Sequence, residues 1–529
     1  MSEGAATLAR LVREAQTAGT LAGLPGHHVI DGRRVGPCSG RSMPTFDPGT
    51  GRVIAQVPRG DARDVDAAVE AARCALRGPW RRLAPAERGR ILAAMAAGIR
   101  AQADRLAVVE CLDSGKRLSE AQGDVASAAA AFEYYAGACG KDHGLSIPLG
   151  EDFLAWTVNE PVGVTAHVIP WNYPLSTAAR GIAPALAAGC TVVAKPAEQT
   201  PLTALMLAAI GLDAGLPPGV LNVVTGTGVE AGAPLVRHRD VQHVSFTGSV
   251  TTGIDVMSAA APQVTRVLLE LGGKSPVVVM ADCDIAHAVE GVLGAIFENA
   301  GQICSAGSRL LVERRLHDEF VDRLVARVQA MTLAHGLRDT GMGPLSSEAH
   351  RARVGGFVER ARVGGATVVT GGRACEDPQT GLGWFFEPTI LGGLTLHDEA
   401  IQQEIFGPVL AVQAFDGADE AVALANGTPY ALSAGIYTRD FGVAHRLARD
   451  IDAGQVTINE YFAGGIALPF GGNRRSGFGR EKGMEALRSY SRIKAVAARI
   501  SSLAGRSPTV EPEGGRPAEH SPAASTRSA

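Results

Sequence analysis

"VGVTAHVIPWNYPLSTAARGIAPALAAGCTVVAKP", residues 162–196, decides the fold. Residues 162–170 are an apolar, β-branched run and read as a buried strand. Residues 176–189 are alanine-rich and read as a helix that tolerates Pro184. Residues 190–196, "CTVVAKP", return to strand. The alternation continues with a helix over 200–215, with Thr200 as N-cap and Pro201 at its first position. Strand patterns follow at 220–226, 241–248 and 275–280. Strand–helix alternation predicts parallel βαβ units in a doubly wound α/β sheet. Such sheets bind ligands beyond the carboxyl ends of their strands.

After Leu271 the pattern restarts. A helix through 285–300, the strand "SRLLVE" and the helix "LHDEFVDRLVARVQAM" predict a second α/β lobe. A cleft between the lobes would bring Cys304 beside the first lobe's ligand.

Composition fits this picture. A chain of 529 residues has room for two or three domains, and 46% hydrophobic with 20% charged residues is ordinary for a soluble protein. A net charge of −4 and 5% aromatics argue against nucleic-acid binding. The eight cysteines form no CxxC pair, and the 13 histidines form no HExxH. No zinc site, other metal site or disulfide framework is expected, and reduced thiols fit a cytoplasmic protein. No run of about 18 apolar residues predicts a membrane span. The N-terminus does not read as a secretory signal; it fits a short amphipathic helix with Leu8, Leu11 and Val12 on one face. Residues 501–529 are rich in Pro, Gly, Ser and Ala and read as a disordered tail. No repeat of solenoid length is present.

Several short motifs could carry chemistry, each with a plainer reading beside it. "VVTGTGVEAG" places Gly226, Gly228 and Gly232 as GxGxxxG, where an ordinary strand-to-helix turn is the stronger reading. "FTGSVTTG" follows a strand and opens a helix. Gly248 allows close backbone approach, and Ser249 with free amides can face an anion. A plain capped turn has equal claim. In "VVAKPAEQTP", Lys195 could donate to ribose or phosphate and Glu198 could accept from ribose hydroxyls. A carboxylate there favours NAD over NADP; a solvated loop pair is the plainer alternative.

"LLELGGKSP" puts Glu270 in an apolar run. Burial would raise its pKa toward that of a useful general base, while a salt-bridged core glutamate stands level with that reading. Asn172 lies between Pro170 and Pro174, where a fixed amide could bind an oxyanion or simply complete a turn. Glu404, in "QQEIFGPVL", could bind ribose or cap a helix. Cys304, in "FENAGQICSAGSR", taken alone reads more readily as a buried filler than as a nucleophile.

Together and in order, "PWNYPL", "KPAEQTP", "FTGS", "LELGGKSP", "FENAGQICSAGSR", "EIFGP" and "PFGGNRRSGFGREKG" are not independent. Over about residues 25–500 the chain resembles the NAD(P)-dependent aldehyde dehydrogenases. "PWNY", "GQICSAGSR" and "GREKG" are similar to betaine-aldehyde and aminoaldehyde members. The resemblance implies two Rossmann-like doubly wound lobes and a small β oligomerisation ribbon. It implies a partly flexible lead over 1–24 and an NAD-binding domain of 25–139 with 161–271. A catalytic domain would span 272–480, and the ribbon 140–160 with 481–500. A dimer or tetramer is implied, acting on a small-molecule aldehyde.

By motif position the resemblance makes Cys304 the nucleophile, Asn172 and the Cys304 amide the oxyanion hole, and Glu270 the general base. Glu481 matches a second acid that serves some members as a proton relay. Implied cofactor contacts are Ile169, Pro170, Trp171, Lys195, Glu198, Gly228, Gly232, Phe246, Thr247, Gly248, Ser249, Leu271, Glu404 and Phe406. NAD is the implied cofactor, with NADP second. Implied substrate contacts are Tyr173, Arg180, Glu298, Ile303, Ser305, Gly464 and Phe470. An unperturbed thiol of pKa about 8.5 would supply a few per cent of thiolate at neutral pH.

Two substrate positions depart from the pattern: Arg180 replaces a frequent Trp, and Gly464 a frequent aromatic. Arginine at the first position pairs the carboxylate in some semialdehyde-oxidising relatives. Here Glu298 is expected either to pair with Arg180 or to suit a cationic substrate tail. Quaternary ammonium usually wants an aromatic cage. Broad aldehyde oxidation therefore ranks first, betaine aldehyde or aminoaldehyde second, and a semialdehyde third. A non-catalytic relative and an acyl-CoA-forming one are the remaining alternatives. Cys304, Glu270 and Asn172 argue against the former, and Glu270 against the latter.

Overall fold

The computed structural model describes residues 3–500. The chain divides into two compact units, one running to Asp142 and resuming over Glu160–Arg492, the other built from His143–Asn159 and the chain from Ile493 on. The tail expected at 501–529 lies outside the described residues.

The larger unit holds both expected sheets. In the first, Leu221–Val223, Thr191–Pro196, Val164–Ile169, His243–Thr247 and Arg266–Glu270 lie side by side in that order and all parallel. Antiparallel strands close both edges, His28–Ile30 and Arg33–Val35 on one side and Gly477–Phe478 on the other. The chain winds outward from Val164–Ile169 in one direction, then returns to lay His243–Thr247 on its other side. The strand order therefore reverses between these two neighbours, and the switch point of a doubly wound sheet is where a ligand crevice opens. The segments leaving their carboxyl ends are Pro170–Asn172 and Gly248–Ser249.

The second sheet runs Thr367–Thr370, Thr389–Gly392, Val409–Phe415, Arg309–Glu313, Pro276–Val279, Ser433–Tyr437 and Gln455–Ile458. All its pairings are parallel except the first. Its five inner strands are largely buried, as their near-continuous apolar runs require, while the two edge strands are partly exposed.

Three local expectations change. The helix expected over 200–215 starts at Leu202, with Pro201 at the cap. Thr200 does not cap it; its hydroxyl is buried without a partner. The Leu202 N–H goes instead to Oδ2 of the buried Asp113, 3.0 Å away, so an acceptor from a different helix displaces the local one.

The helix expected through 285–300 ends at Phe297. Asn299 and Ala300 turn left-handed, at φ 47° and 52°. The Asn299 side chain bonds the carbonyls of Asn172 and Gln302, offering the chain a non-helical path that leads directly to Cys304. The N-terminal segment is helical over Glu3–Ala18, with Leu11 buried and Leu8 and Val12 packed against the core.

The smaller unit contributes most of a three-stranded sheet, with Phe153–Pro161 between Ser146–Ile147 and Ser491–Arg499. Leu145, Leu149, Leu154 and Ile493 are exposed on it.

Candidate active site

Asn172 follows the strand Val164–Ile169 and precedes the helix Pro174–Ala188, so its position is set by two regular elements and two prolines. It is buried, and its Nδ2 donates to the Gln302 carbonyl at 2.9 Å. One amide hydrogen is thereby spent, and the other remains for the cavity that Asn172 lines. Its own carbonyl accepts from Lys116 Nζ at 2.9 Å and from Asn299 Nδ2 at 3.1 Å.

Glu270 ends the strand Arg266–Glu270, in register with Thr247. It is 1% exposed, and neither carboxylate oxygen has a hydrogen-bond partner of good geometry. Burial and then Glu481 push its pKa up to about 8, against the pull of Arg180 and Arg480. The reading of Glu270 as a salt-bridged core residue is not what the structure shows, since among the described residues neither of its carboxylate oxygens has a hydrogen-bond partner.

Cys304 is half-buried in the loop after the left-handed turn. Its thiol does not have the unperturbed pKa expected from sequence. Burial pushes it up to about 12; Glu270, Glu404 and Glu481 add to the shift, and Arg180 opposes it. Protonation of the resting thiol is favoured, and a further positive charge beside it would favour the thiolate.

Gly248 donates its N–H to the Glu270 carbonyl at 3.0 Å. A Cβ on Gly248 would lie 2.6 Å from the Phe246 ring, so only glycine fits. Ser249 caps the helix Val250–Ala260, accepting the Thr252 N–H at 3.2 Å. Glu404 lies beyond the short helix Glu399–Gln402 and does not cap it. Its Oε1 accepts the Gly273 N–H at 3.0 Å, and a Cβ on Gly272 would sit 2.0 Å from its Oε2. Burial pushes Glu404 up to about 7, against the Gly273 N–H and Arg353.

These groups share one cavity of about 240 Å³. Pro170, Trp171, Asn172, Thr247, Gly248, Ser249, Glu270, Cys304, Glu404 and Phe406 all line it. Ile169, Phe246 and Leu271 are buried and do not line it. Lys195 is buried rather than part of a solvated loop, and it pairs with Glu198 at 3.2 Å. Gly232 lies close to it, a Cβ there meeting Lys195 Cδ at 3.5 Å; the position of Gly228 is open. A nucleotide could therefore run from the Lys195–Glu198 region across the capped helix to Cys304. The glycine approaches and the unpartnered Glu270 oxygens fit such a group.

Sequence reasoning missed Gly272, His350 and Arg353, which line the same cavity. Arg353 donates to the carbonyls of Ile405 and Glu404, at 2.6 and 2.9 Å, and His350 Nε2 donates to that of Phe406 at 2.6 Å. They hold Phe406 at a positive φ of 61° and pack Trp171 against both rings. Residues 350 and 353 share a helix face, but nothing in "EAHRARV" points toward a ligand.

On the other side of Cys304, Arg180 does not pair with Glu298. It forms a buried ion pair with Glu481. Glu298 is set instead among Glu120, Lys116 and Arg117. Phe470 lies between the Arg180 guanidinium, at 5.4 Å from its ring centre, and Lys482 Nζ, at 5.2 Å. Tyr173 lies 4.1 Å beneath Lys116 Nζ. Ile303 and Ser305 flank Cys304 and are buried. Gly464 has φ 113°, and a Cβ there would come within 2.4 Å of Leu468, so an aromatic does not fit this loop.

The sequence model of the aldehyde dehydrogenase family matches residues 35–496. The chain belongs to this family. Among relatives in the aldehyde dehydrogenase family, it is 41% identical over 471 residues to a betaine aldehyde dehydrogenase of Bacillus subtilis, covering 88% of this chain and 96% of that one. It is 43% identical to aminoaldehyde dehydrogenase 2 of Zea mays, covering 87% and 92%. Among solved structures, it resembles the betaine aldehyde dehydrogenase of Staphylococcus aureus in complex with NAD+, at 37% identity and TM-score 0.89, covering 91% and 96%. It also resembles the NAD+ complex of an aldehyde dehydrogenase from Bacillus cereus, at 40% identity and TM-score 0.88, covering 90% and 96%. The two parallel-stranded lobes are thus those of the aldehyde dehydrogenase fold.

Proposed function

We propose that this chain oxidises an aldehyde to a carboxylic acid with NAD, through a covalent bond to Cys304. The observation that carries the reading is the single cavity shared by Asn172, Glu270, Cys304 and the Thr247–Ser249 and Glu404–Phe406 segments. Bound NAD+ supplies the hydride acceptor and a positive charge that favours the thiolate. Thr247–Ser249, Glu404 and Phe406 would hold it, with Lys195 and Glu198 toward the ribose and NADP disfavoured by the Glu198 carboxylate.

The Cys304 thiol gives its proton to solvent water, and its thiolate sulfur attacks the aldehyde carbon as the carbonyl π electrons move onto the oxygen. The remaining Asn172 amide hydrogen and the Cys304 backbone N–H stabilise the oxyanion of the thiohemiacetal. Each such donor is worth about 3–4 kcal/mol in the transition state. Loss of the carbonyl-carbon hydride leaves a thioester. Glu270, ionised as base, takes a proton from water; the hydroxide attacks the thioester, releasing the acid and the sulfur. Glu481 is ion-paired with Arg180. It serves as a fixed negative charge beside Glu270 more readily than as a free relay.

Broad aldehyde oxidation remains the first reading of the substrate. The names of the relatives support a betaine aldehyde or an aminoaldehyde as the second. The cationic Arg180 and the glycine at 464, where a cage would need rings, argue against it. A semialdehyde ranks third, because Glu481 already occupies Arg180. The exposed apolar residues of the smaller unit support self-association as a dimer or tetramer, and eight free cysteines fit a cytoplasmic setting.

NADH formation with an aldehyde panel, with and without coenzyme A, tests the reading. No NADH with any aldehyde rejects it, and strict dependence on coenzyme A replaces hydrolysis by acyl transfer.

A further inference from the structure

We propose that Lys116 is a positioning residue for the oxyanion hole. Its buried ammonium holds the Asn172 backbone carbonyl so that the Asn172 side-chain N–H stays aimed at the oxyanion that forms above Cys304. The inference rests on the function proposed above.

Lys116 is 1% exposed. Its Nζ donates to the Asn172 carbonyl at 2.9 Å, forms an ion pair with Asp124 and lies 4.1 Å over the Tyr173 ring. Burial alone would lower its pKa, but Asp124 and Glu110 outweigh burial and keep it charged. A buried ion pair is no cheap way to fill space; an apolar pair of the same volume often serves stability as well. What the charge provides is a strong, directed donor at one carbonyl.

The surrounding segment does the same for neighbouring groups. Glu110 accepts the Leu175 N–H at 3.2 Å and the Thr203 hydroxyl at 2.6 Å. Glu120 accepts the Asn299 N–H at 3.1 Å. Asn299 in turn donates to the Asn172 carbonyl, and Asn172 Nδ2 to that of Gln302. Residues 110–120 thus tie the oxyanion turn to the loop that carries Cys304, and Lys116 is the contact on Asn172 itself. A misplacement of about 1 Å at such a group costs on the order of 10²-fold in rate. The largest charge effects on the Cys304 thiol come from Arg180, Glu270, Glu404 and Glu481, whereas the direct contact of Lys116 is with the Asn172 carbonyl.

The test compares wild type, Lys116→Met and the double variant Lys116→Met/Asp124→Asn, which removes both members of the ion pair while Glu110 keeps its bonds to the Leu175 N–H and the Thr203 hydroxyl. NADH formation gives kcat and KM, a thermal melt gives stability, and peptide mass spectrometry follows alkylation of Cys304 by iodoacetamide, a reaction that forms no oxyanion. The expected result is a kcat lowered about 10²-fold in both variants, with KM for NAD and the alkylation rate of Cys304 unchanged. The double variant should regain wild-type melting without regaining kcat. Wild-type kcat in the double variant would overturn the proposal, since Lys116 would then only neutralise Asp124. Alkylation falling in step with kcat would overturn it too, by placing the effect on the thiol. A wild type that forms no NADH would overturn both this proposal and the function it rests on.

Discussion

Arg180 and Glu481 form an ion pair whose side chains are 13% and 2% exposed, beside Glu270 and Cys304. The pair decides two things at once. It occupies the arginine that the sequence offered for a substrate carboxylate, and it sets a negative charge next to the proposed base.

Glu481→Gln therefore predicts a shift in the pH profile. The base acts when ionised, so kcat rises as pH passes through the pKa of Glu270, placed at about 8. Removing the Glu481 charge lowers that pKa, and the rising limb should move about one unit toward acid. Arg180 is left buried and unpaired, so stability should fall by about 3 kcal/mol. A steady-state pH series and a denaturant titration measure the two effects; an unmoved limb would remove Glu481 from the electrostatics of the base.

The thiol makes a second prediction. With its pKa pushed up to about 12, Cys304 should alkylate slowly at pH 7 without nucleotide and steadily faster as pH rises. NAD+ should accelerate the reaction at fixed pH. Cys304→Ala should abolish turnover while nucleotide binding persists. Retained turnover would reject Cys304 as nucleophile.

Much of this site was legible from order alone. The strand–turn–helix reading of 162–196 placed Asn172 at a strand's carboxyl end, and the structure makes that strand one side of the switch point. The seven motifs placed Cys304 and Glu270 with the cofactor segments through the family resemblance that their order carries. The pairing of Arg180 was not legible. The sequence offered Glu298 as its partner, and only the packing of the helix Pro174–Ala188 against the segment after Phe470 brings Glu481 there instead. His350 and Arg353 escaped notice for a related reason: they act on backbone carbonyls, which leave no mark in the sequence. The early end of the helix at Phe297 was hidden because the bonds that break it come from distant residues.

Asn172→Ala removes one of two oxyanion donors and leaves its backbone clamp in place. kcat should fall by about 10²- to 10³-fold, with little change in KM for NAD. Equal turnover would place the oxyanion elsewhere.

Cofactor recognition offers the last test. Gly272→Ala would put a methyl 2.0 Å from the Glu404 carboxylate, which also holds the Gly273 N–H. The carboxylate must move, and the Arg353 bonds to Glu404 and Ile405 keep the backbone from following. KM for NAD should rise about tenfold, a loss of about 1.4 kcal/mol, while alkylation of Cys304 without nucleotide stays unchanged. Glu198→Ala acts at the other end of the nucleotide. It frees Lys195 from its partner and removes the charge that disfavours a 2′-phosphate. The NAD/NADP ratio of kcat/KM should fall while Gly272→Ala leaves it alone. An unchanged ratio in Glu198→Ala would discard the role given to Glu198, and a ratio altered by Gly272→Ala would mean that the two ends of the nucleotide site are not independent.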